Sequence, residues 1–126
     1  MKVKMLHTCI RVTILDESLK FYKEALGLIE TSRKDFPEHR FTLVYLSNEI
    51  GGYEIELTYN YDRENPYEIG DGYSHFAIGV EDLEGTREKQ ISLGYEVTDL
   101  KGLPGEESRY YFVTDPDGYK VEVIRN

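Results

Sequence analysis

The amino-acid sequence predicts an α+β fold made of two fused copies of one β-α-β-β-β module, and three observations predict it. The segment HTCIRVTILDES from His7 and the segment HFAIGVEDLEGT from His75 set Ile10 against Ile78, Val12 against Val80 and Leu15 against Leu83, at equal offsets from their histidines. Each segment then enters a helical pattern that closes on a Leu-Gly pair, Leu26-Gly27 in one and Leu93-Gly94 in the other. Each copy also ends in an alternating strand, YEIEL at 53–57 and YKVEV at 119–123, whose glutamate stands 56 − 7 = 49 residues after the first histidine and 122 − 75 = 47 after the second. Two half-length copies are too few for a solenoid. The chain therefore reads as a single domain of two modules, about 1–62 and 71–126.

The elements follow in order. LHTCIRV at 6–12 alternates and is rich in β-branched residues, as a half-buried strand is. Asp16 is the expected helix N-cap; Leu19, Tyr22 and Leu26 recur at helical spacing, and Gly27 stands at the C-terminal stop. FTLVYL and YEIELTYN are further strands around Gly51-Gly52. In the second copy Asp82 or Glu84 opens a helix over about 83–93, and strands follow near 95–97, 109–114 and 119–124. The last two are joined by Asp115-Pro116-Asp117-Gly118, a turn by its chemistry, since Pro pre-sets one dihedral and Gly accepts a positive φ.

Composition narrows the function classes. A chain of 126 residues is long enough for one domain with its own core. A net charge of −9, from 24 acidic and 15 basic residues, repels phosphate backbones and argues against a nucleic-acid partner. No stretch approaches the roughly 20 apolar residues of a membrane helix. MKVKMLHTCIRV has no long apolar run and no small-residue cleavage site, so no secretory signal is expected. Cys9 is the only cysteine and can form no internal disulfide, which fits a reducing cytosol; a cytoplasmic location is the expectation. The 11 Tyr and 5 Phe, with no Trp, fit amphipathic core and interface packing.

Strand alternation decides which side chains can do chemistry. His7, Cys9 and Arg11 share one face of the first strand, opposite Thr8, Ile10 and Val12. Glu54, Glu56, Thr58 and Asn60 oppose Ile55, Leu57 and Tyr59; His75, Ala77 and Gly79 oppose Phe76, Ile78 and Val80; Lys120, Glu122 and Ile124 oppose Val121 and Val123. In each strand the apolar set can lie under a helix layer, and the other face carries at least one His or Glu. A lone strand His is more often a hydrogen-bonded structural residue than a ligand, and a lone strand Glu is usually solvated. Duplication shifts the balance: His7, Glu56, His75 and Glu122 form two equivalent pairs, the donor set of a metal site. His39 has no duplicate and is expected at the surface, and Cys9 is expected as a small filler beside the pocket rather than a nucleophile.

These residues resemble the vicinal-oxygen-chelate superfamily and, within it, glyoxalase I (the lactoylglutathione lyases) of the short bacterial type. The resemblance covers nearly the whole chain and is strongest in LHTCIRV at 6–12, FYKEALGL at 21–28, YEIELTYN at 53–60, GYSHFAIGV at 72–80 and DPDGYKVEVI at 115–124. The ELTYN and DPDGYK–E runs point to glyoxalase I; the paired modules alone indicate only the superfamily. The resemblance implies curved, mixed, mostly antiparallel sheets forming a metal cleft. It implies metal ligands at His7, Glu56, His75 and Glu122, the set also chosen by facing, with Ni2+ first and Co2+ or Zn2+ as alternatives, and no organic cofactor. It implies a small-molecule substrate, the hemithioacetal of a 2-oxoaldehyde such as methylglyoxal and a thiol. That substrate is isomerised to a 2-hydroxyacyl thioester by proton transfer through an enediolate that the cation stabilises. Glu122 is then the base; Glu56, in the matching position of the other module, is the second catalytic carboxylate, able to handle the opposite face; and Arg11 and Asn60 are the substrate contacts.

In short relatives the modules often swap across a homodimer, setting His7 and Glu56 of one chain beside the partner's His75 and Glu122; a site closed within one chain is the alternative. Two departures bear on the thiol. Longer relatives carry a cation shortly before the second histidine, where this chain has Ile69-Gly70-Asp71-Gly72, and 102–107 reads GLPGEE where some relatives supply a Lys. Other members of the superfamily are the competing readings. A methylmalonyl-CoA-epimerase-like enzyme would usually have Gln at Glu56. A thiol transferase or an extradiol dioxygenase would use three ligands, and a non-catalytic drug-binding resistance protein would hold no metal.

Overall fold

The alternation at the start of the chain becomes strand β1 (His7–Val12), with Ile10 and Val12 buried and His7, Cys9 and Arg11 turned away. The structure, a computed structural model, describes residues 1–126 and divides into two compact units, Met1–Tyr67 and Glu68–Asn126.

In the first unit β1 leads into helix α1 (Leu15–Lys20), then strands β2 (Ile29–Phe36), β3 (Phe41–Ser47) and β4 (Glu54–Asn60). These four strands form a sheet of order β1-β4-β3-β2. β1 and β4 run parallel, and the other two pairings are antiparallel. Parallel neighbours need a crossover, and the helix with the β2–β3 hairpin supplies it. Asp16 does not cap α1: Ile14 holds the N-cap position in extended conformation, and Asp16 lies in the first turn, where its charge faces the positive end of the helix. The helix then widens into a π-helical turn, Phe21–Ala25, with Leu26 N bonded to Phe21 O at 3.3 Å. The wider turn lets adjacent Phe21 and Tyr22, and then Ala25, all be buried. Gly27 ends the segment at φ +71°, as its position predicts. With Val44, Leu46 and Leu57 these residues make the core of the unit.

The second unit runs β5 (Phe76–Val80), α2 (Leu83–Ser92), β6 (Tyr110–Thr114) and β7 (Lys120–Arg125). Its sheet has the order β5-β7-β6, again with the outer strand, here just after the histidine, parallel to the Glu-bearing one. Of the two expected helix caps Asp82 is the one used, and its carboxylate accepts from Gly85 N at 3.0 Å. The strand expected near 95–97 is a correction. Only isolated bridges form there, Val97 with Val113 and Lys101 with Tyr110. The reason is local competition: the Thr98 hydroxyl accepts from Phe112 N at 2.9 Å, in the place a strand carbonyl would take, and the ladder breaks. The fold is α+β with two mixed sheets, mostly antiparallel, as expected, but the second sheet has three strands where the first has four.

Candidate metal centre

Strand register builds each His–Glu pair. In the parallel β1/β4 ladder His7 lies opposite Glu54 and Cys9 opposite Glu56, so His7 and Glu56 are one diagonal step apart on the same face. Nε2 of His7 stands 3.7 Å from Oε1 of Glu56. In the second unit His75 immediately precedes β5 and Ala77 lies opposite Glu122, which repeats the diagonal. Here Nε2 of His75 stands 3.3 Å from Oε1 of Glu122. The Ser74 hydroxyl engages Nδ1 of His75 at 2.7 Å, leaving Nε2 as the nitrogen aimed at the carboxylate.

The surroundings of the pairs are duplicated as well. Tyr45 faces Glu56 across the β3/β4 ladder, and Phe112 faces Glu122 across the β6/β7 ladder. Each ring meets its histidine edge-on, Tyr45 to His7 at 5.7 Å and 77°, Phe112 to His75 at 5.1 Å and 76°. The two facing residues differ by one hydroxyl, since Tyr45 OH donates to Oε2 of Glu56. That bond to a carboxylate pushes the Tyr45 hydroxyl up to about 12. The carboxylates are mostly covered, with side chains 12% exposed for Glu56 and 19% for Glu122, while the imidazoles are open at 39% and 32%.

The donor chemistry fits a divalent metal. Two ligand atoms held cis at about 2.1 Å from one ion stand about 3.0 Å apart. Separations of 3.3 and 3.7 Å are close to that edge. Imidazole with carboxylate suits first-row metals such as nickel, cobalt and zinc. Within each unit the set stops at two: neither holds a group of three or more His, Cys, Asp or Glu side chains arranged for a metal. Cys9 sits next to the first pair with its sulfur 3.2 Å from the Thr58 hydroxyl. Burial of the sulfur pushes its thiol up, Thr58 opposes this, and neighbouring Glu56 adds to it, which disfavours the thiolate.

Arg11 and Asn60 line one cleft of about 570 Å³ in the first unit. Asn60 Nδ2 donates to the Tyr67 hydroxyl at 3.0 Å. Sequence reasoning missed the rest of this lining. Arg40 is held by Asp62 at 2.7 Å, and the Arg63 guanidinium lies 4.2 Å over the Tyr67 ring while donating to the carbonyls of Asn65 and Pro66. His39 is exposed, as expected, yet it lines the same cleft. These residues lie in turns with no periodicity and no duplicate; the one available signal was the crowding of Arg, Asn and Tyr at 60–67. The second unit has Gly79 where the first has Arg11, and a Cβ at Gly79 would come within 2.9 Å of Asn126.

Comparison with known proteins identifies the family. The family profile of the Glyoxalase/Bleomycin resistance protein/Dioxygenase superfamily matches residues 4–123. The chain is 43% identical to the lactoylglutathione lyase of Haemophilus influenzae, over 98% of this chain and 93% of that protein. It is 39% identical to the lactoylglutathione lyase of Neisseria meningitidis, over 98% and 91%. Among solved structures, the trypanothione-dependent glyoxalase I of Leishmania major superposes with a TM-score of 0.89 at 37% identity, covering 98% of this chain and 87% of that one. Glyoxalase I from Zea mays gives 0.92 at 34% identity, with 98% of this chain matched to 44% of the longer maize chain. The chain belongs to the Glyoxalase/Bleomycin resistance protein/Dioxygenase superfamily, and within it to the glyoxalase I branch.

Proposed function

We propose that this chain catalyses the glyoxalase I reaction, isomerising the hemithioacetal of methylglyoxal and a thiol to a 2-hydroxyacyl thioester, at a divalent metal held by His7, Glu56, His75 and Glu122. The observation that carries the reading is the repeated His–Glu pair, built by the same parallel-strand diagonal in both units with Nε2–Oε1 separations of 3.7 and 3.3 Å. Near-full-length similarity to lactoylglutathione lyases supports it.

When bound, the metal supplies electrophilic stabilisation of the negative charge that develops on the substrate's adjacent oxygens, with Ni2+ preferred over Co2+ and Zn2+. The protein's own groups move the proton. Glu122 takes it from the carbon beside the carbonyl and returns it to the neighbouring carbon, a role typically worth on the order of 10²–10⁴ in rate. Its carboxylate is largely covered, which limits the water that competes for the proton. Proton transfer alone exchanges oxidation level between the two carbons, so no organic cofactor takes part. Arg11 receives a carboxylate of the thiol and Asn60 a neighbouring polar group in their shared cleft. The modules, about 1–62 and 71–126, make one domain. The active form is a cytoplasmic homodimer in which His7 and Glu56 work beside the partner's His75 and Glu122.

The test is a thiol panel on metal-quantified protein. With Ni2+ or Co2+ bound, methylglyoxal plus glutathione should give a thioester. Metal-loaded protein that forms no thioester with any thiol overturns the reading. If glutathione fails and another thiol works, the chemistry stands and the acidic residues Asp71, Glu106 and Glu107 become the specificity determinants.

A further inference from the structure

The two carboxylates of the duplicated pairs are not held alike. Glu56 and Glu122 occupy equivalent positions, and so do the residues facing them across the neighbouring antiparallel ladder, Tyr45 and Phe112. Both rings stack edge-on against the histidine of their pair. Only Tyr45 carries a hydroxyl, and it donates to Oε2 of Glu56 while Oε1 faces His7. Both oxygens of Glu56 are therefore assigned: one to the histidine side, one to a phenol. Phe112 can offer Glu122 no such bond. The Tyr45 side chain is itself fixed. Lys34 Nζ lies 5.8 Å over its ring, His7 meets the ring edge, and the Thr31 hydroxyl anchors its backbone carbonyl at 3.2 Å.

We infer that Tyr45 is a positioning residue: its hydroxyl engages Oε2 and holds Glu56 in place as a fixed metal ligand, which leaves Glu122 as the freer carboxylate to carry the proton. The inference rests on the proposed metal reaction and deepens it. Two halves that are alike in fold thereby become unlike in chemistry. In the step concerned, the substrate C–H bond breaks, its proton passes to a Glu122 oxygen and its electron pair stays on the substrate; the same proton then forms the new C–H bond on the adjacent carbon while the hydroxyl proton passes from the first oxygen to the second, and no oxidant or reductant is consumed. Releasing Oε2 frees Glu56 to do the same.

The variant is Tyr45→Phe, which recreates the arrangement already present at Phe112 and so keeps the ring contact while removing the hydroxyl. A hydrogen-bonded partner of a metal ligand typically changes metal affinity about 10–100-fold. Ni2+ affinity measured by chelator competition should fall at least about tenfold, and the visible absorption of the Co2+-loaded protein should change, with the circular dichroism of the fold unaltered. Introduced into Glu122→Gln, the same change should raise residual turnover, because Glu56 gains a free oxygen. An affinity within about twofold of wild type with an unchanged Co2+ spectrum, or a double variant no more active than Glu122→Gln alone, overturns the inference. Failure of the underlying reading looks different: wild-type protein binds metal yet makes no thioester, and the affinity and spectral measurements still decide whether Tyr45 holds Glu56.

Discussion

The Tyr111 hydroxyl donates to Oε1 of Gln90 across 2.7 Å, and both side chains are fully buried in the second unit. The bond ties β6 to α2. Removing one partner strands the other without water, which typically costs about 1–3 kcal/mol. Tyr111→Phe and Gln90→Leu should each lower the free energy of unfolding by that order, and the double variant should cost less than the sum by about 1 kcal/mol. Urea unfolding of the four proteins measures this; strict additivity would show that the two groups do not act together.

Neither partner of that bond stands out in the sequence. Gln90 sits mid-helix among Glu88, Lys89 and Ser92, and nothing local marks it as buried. The His–Glu pairs were legible because two signals coincide on them, strand alternation and duplication, and the structure sets each pair on the diagonal that the parallel ladders create. Strand register places Tyr45 and Phe112 beside them, and register between β3 and β4 is a long-range property that single-strand patterns do not carry. The missed break at 95–97 has the same origin. Val97 and its neighbours look strand-like in isolation, and only the distant Phe112 N reveals that Thr98 replaces a backbone acceptor. Turn residues such as Arg40, at φ 63°, and Arg63 reach the Arg11–Asn60 cleft through loop conformation, which no periodicity encodes.

The proposed ligands make separable predictions. His75→Ala removes an imidazole donor and should weaken Ni2+ binding by at least about tenfold. Glu122→Gln keeps the shape of the side chain but not its basicity, so turnover should fall on the order of 10²–10⁴ while the fold survives. Metal titration beside steady-state kinetics separates the two effects. Full turnover in Glu122→Gln would remove that residue from the role of base.

The turn before β7 is held by Asp115, whose buried carboxylate accepts from Asp117 N at 2.9 Å and Tyr119 N at 2.8 Å through one oxygen. Gly118 completes it at φ +97°, where a Cβ would also approach Ile69 to 3.4 Å. Asp115→Ala should cost about 1–3 kcal/mol because two amides lose their acceptor. Gly118→Ala should cost about 1–2 kcal/mol for the left-handed conformation. Thermal unfolding should rank both variants below wild type, and a Gly118→Ala protein as stable as wild type would show that the turn relaxes away from its positive φ.

Alkaline pH should act through tyrosines held protonated by the fold. Tyr73 is pushed up to about 12, chiefly by burial, and its hydroxyl donates to the Lys120 carbonyl at 2.8 Å. Tyr45 is pushed up to about 12 by its bond to Glu56, and burial pushes Tyr111 up as well. An unfolded tyrosine titrates near about 10. Below that pH both states keep the proton and the contribution to stability is fully present. Between about 10 and 12 the unfolded chain has released protons that the native state retains, so stability falls as pH rises. Above the folded values both states are ionised and the contribution is gone. Urea unfolding at pH 9, 10 and 11 should therefore show a decline that begins near about pH 10, and Tyr73→Phe, which leaves the metal ligands intact, should make that decline shallower. A slope identical in wild type and Tyr73→Phe would mean that Tyr73 ionises as readily in the folded chain as in the unfolded one.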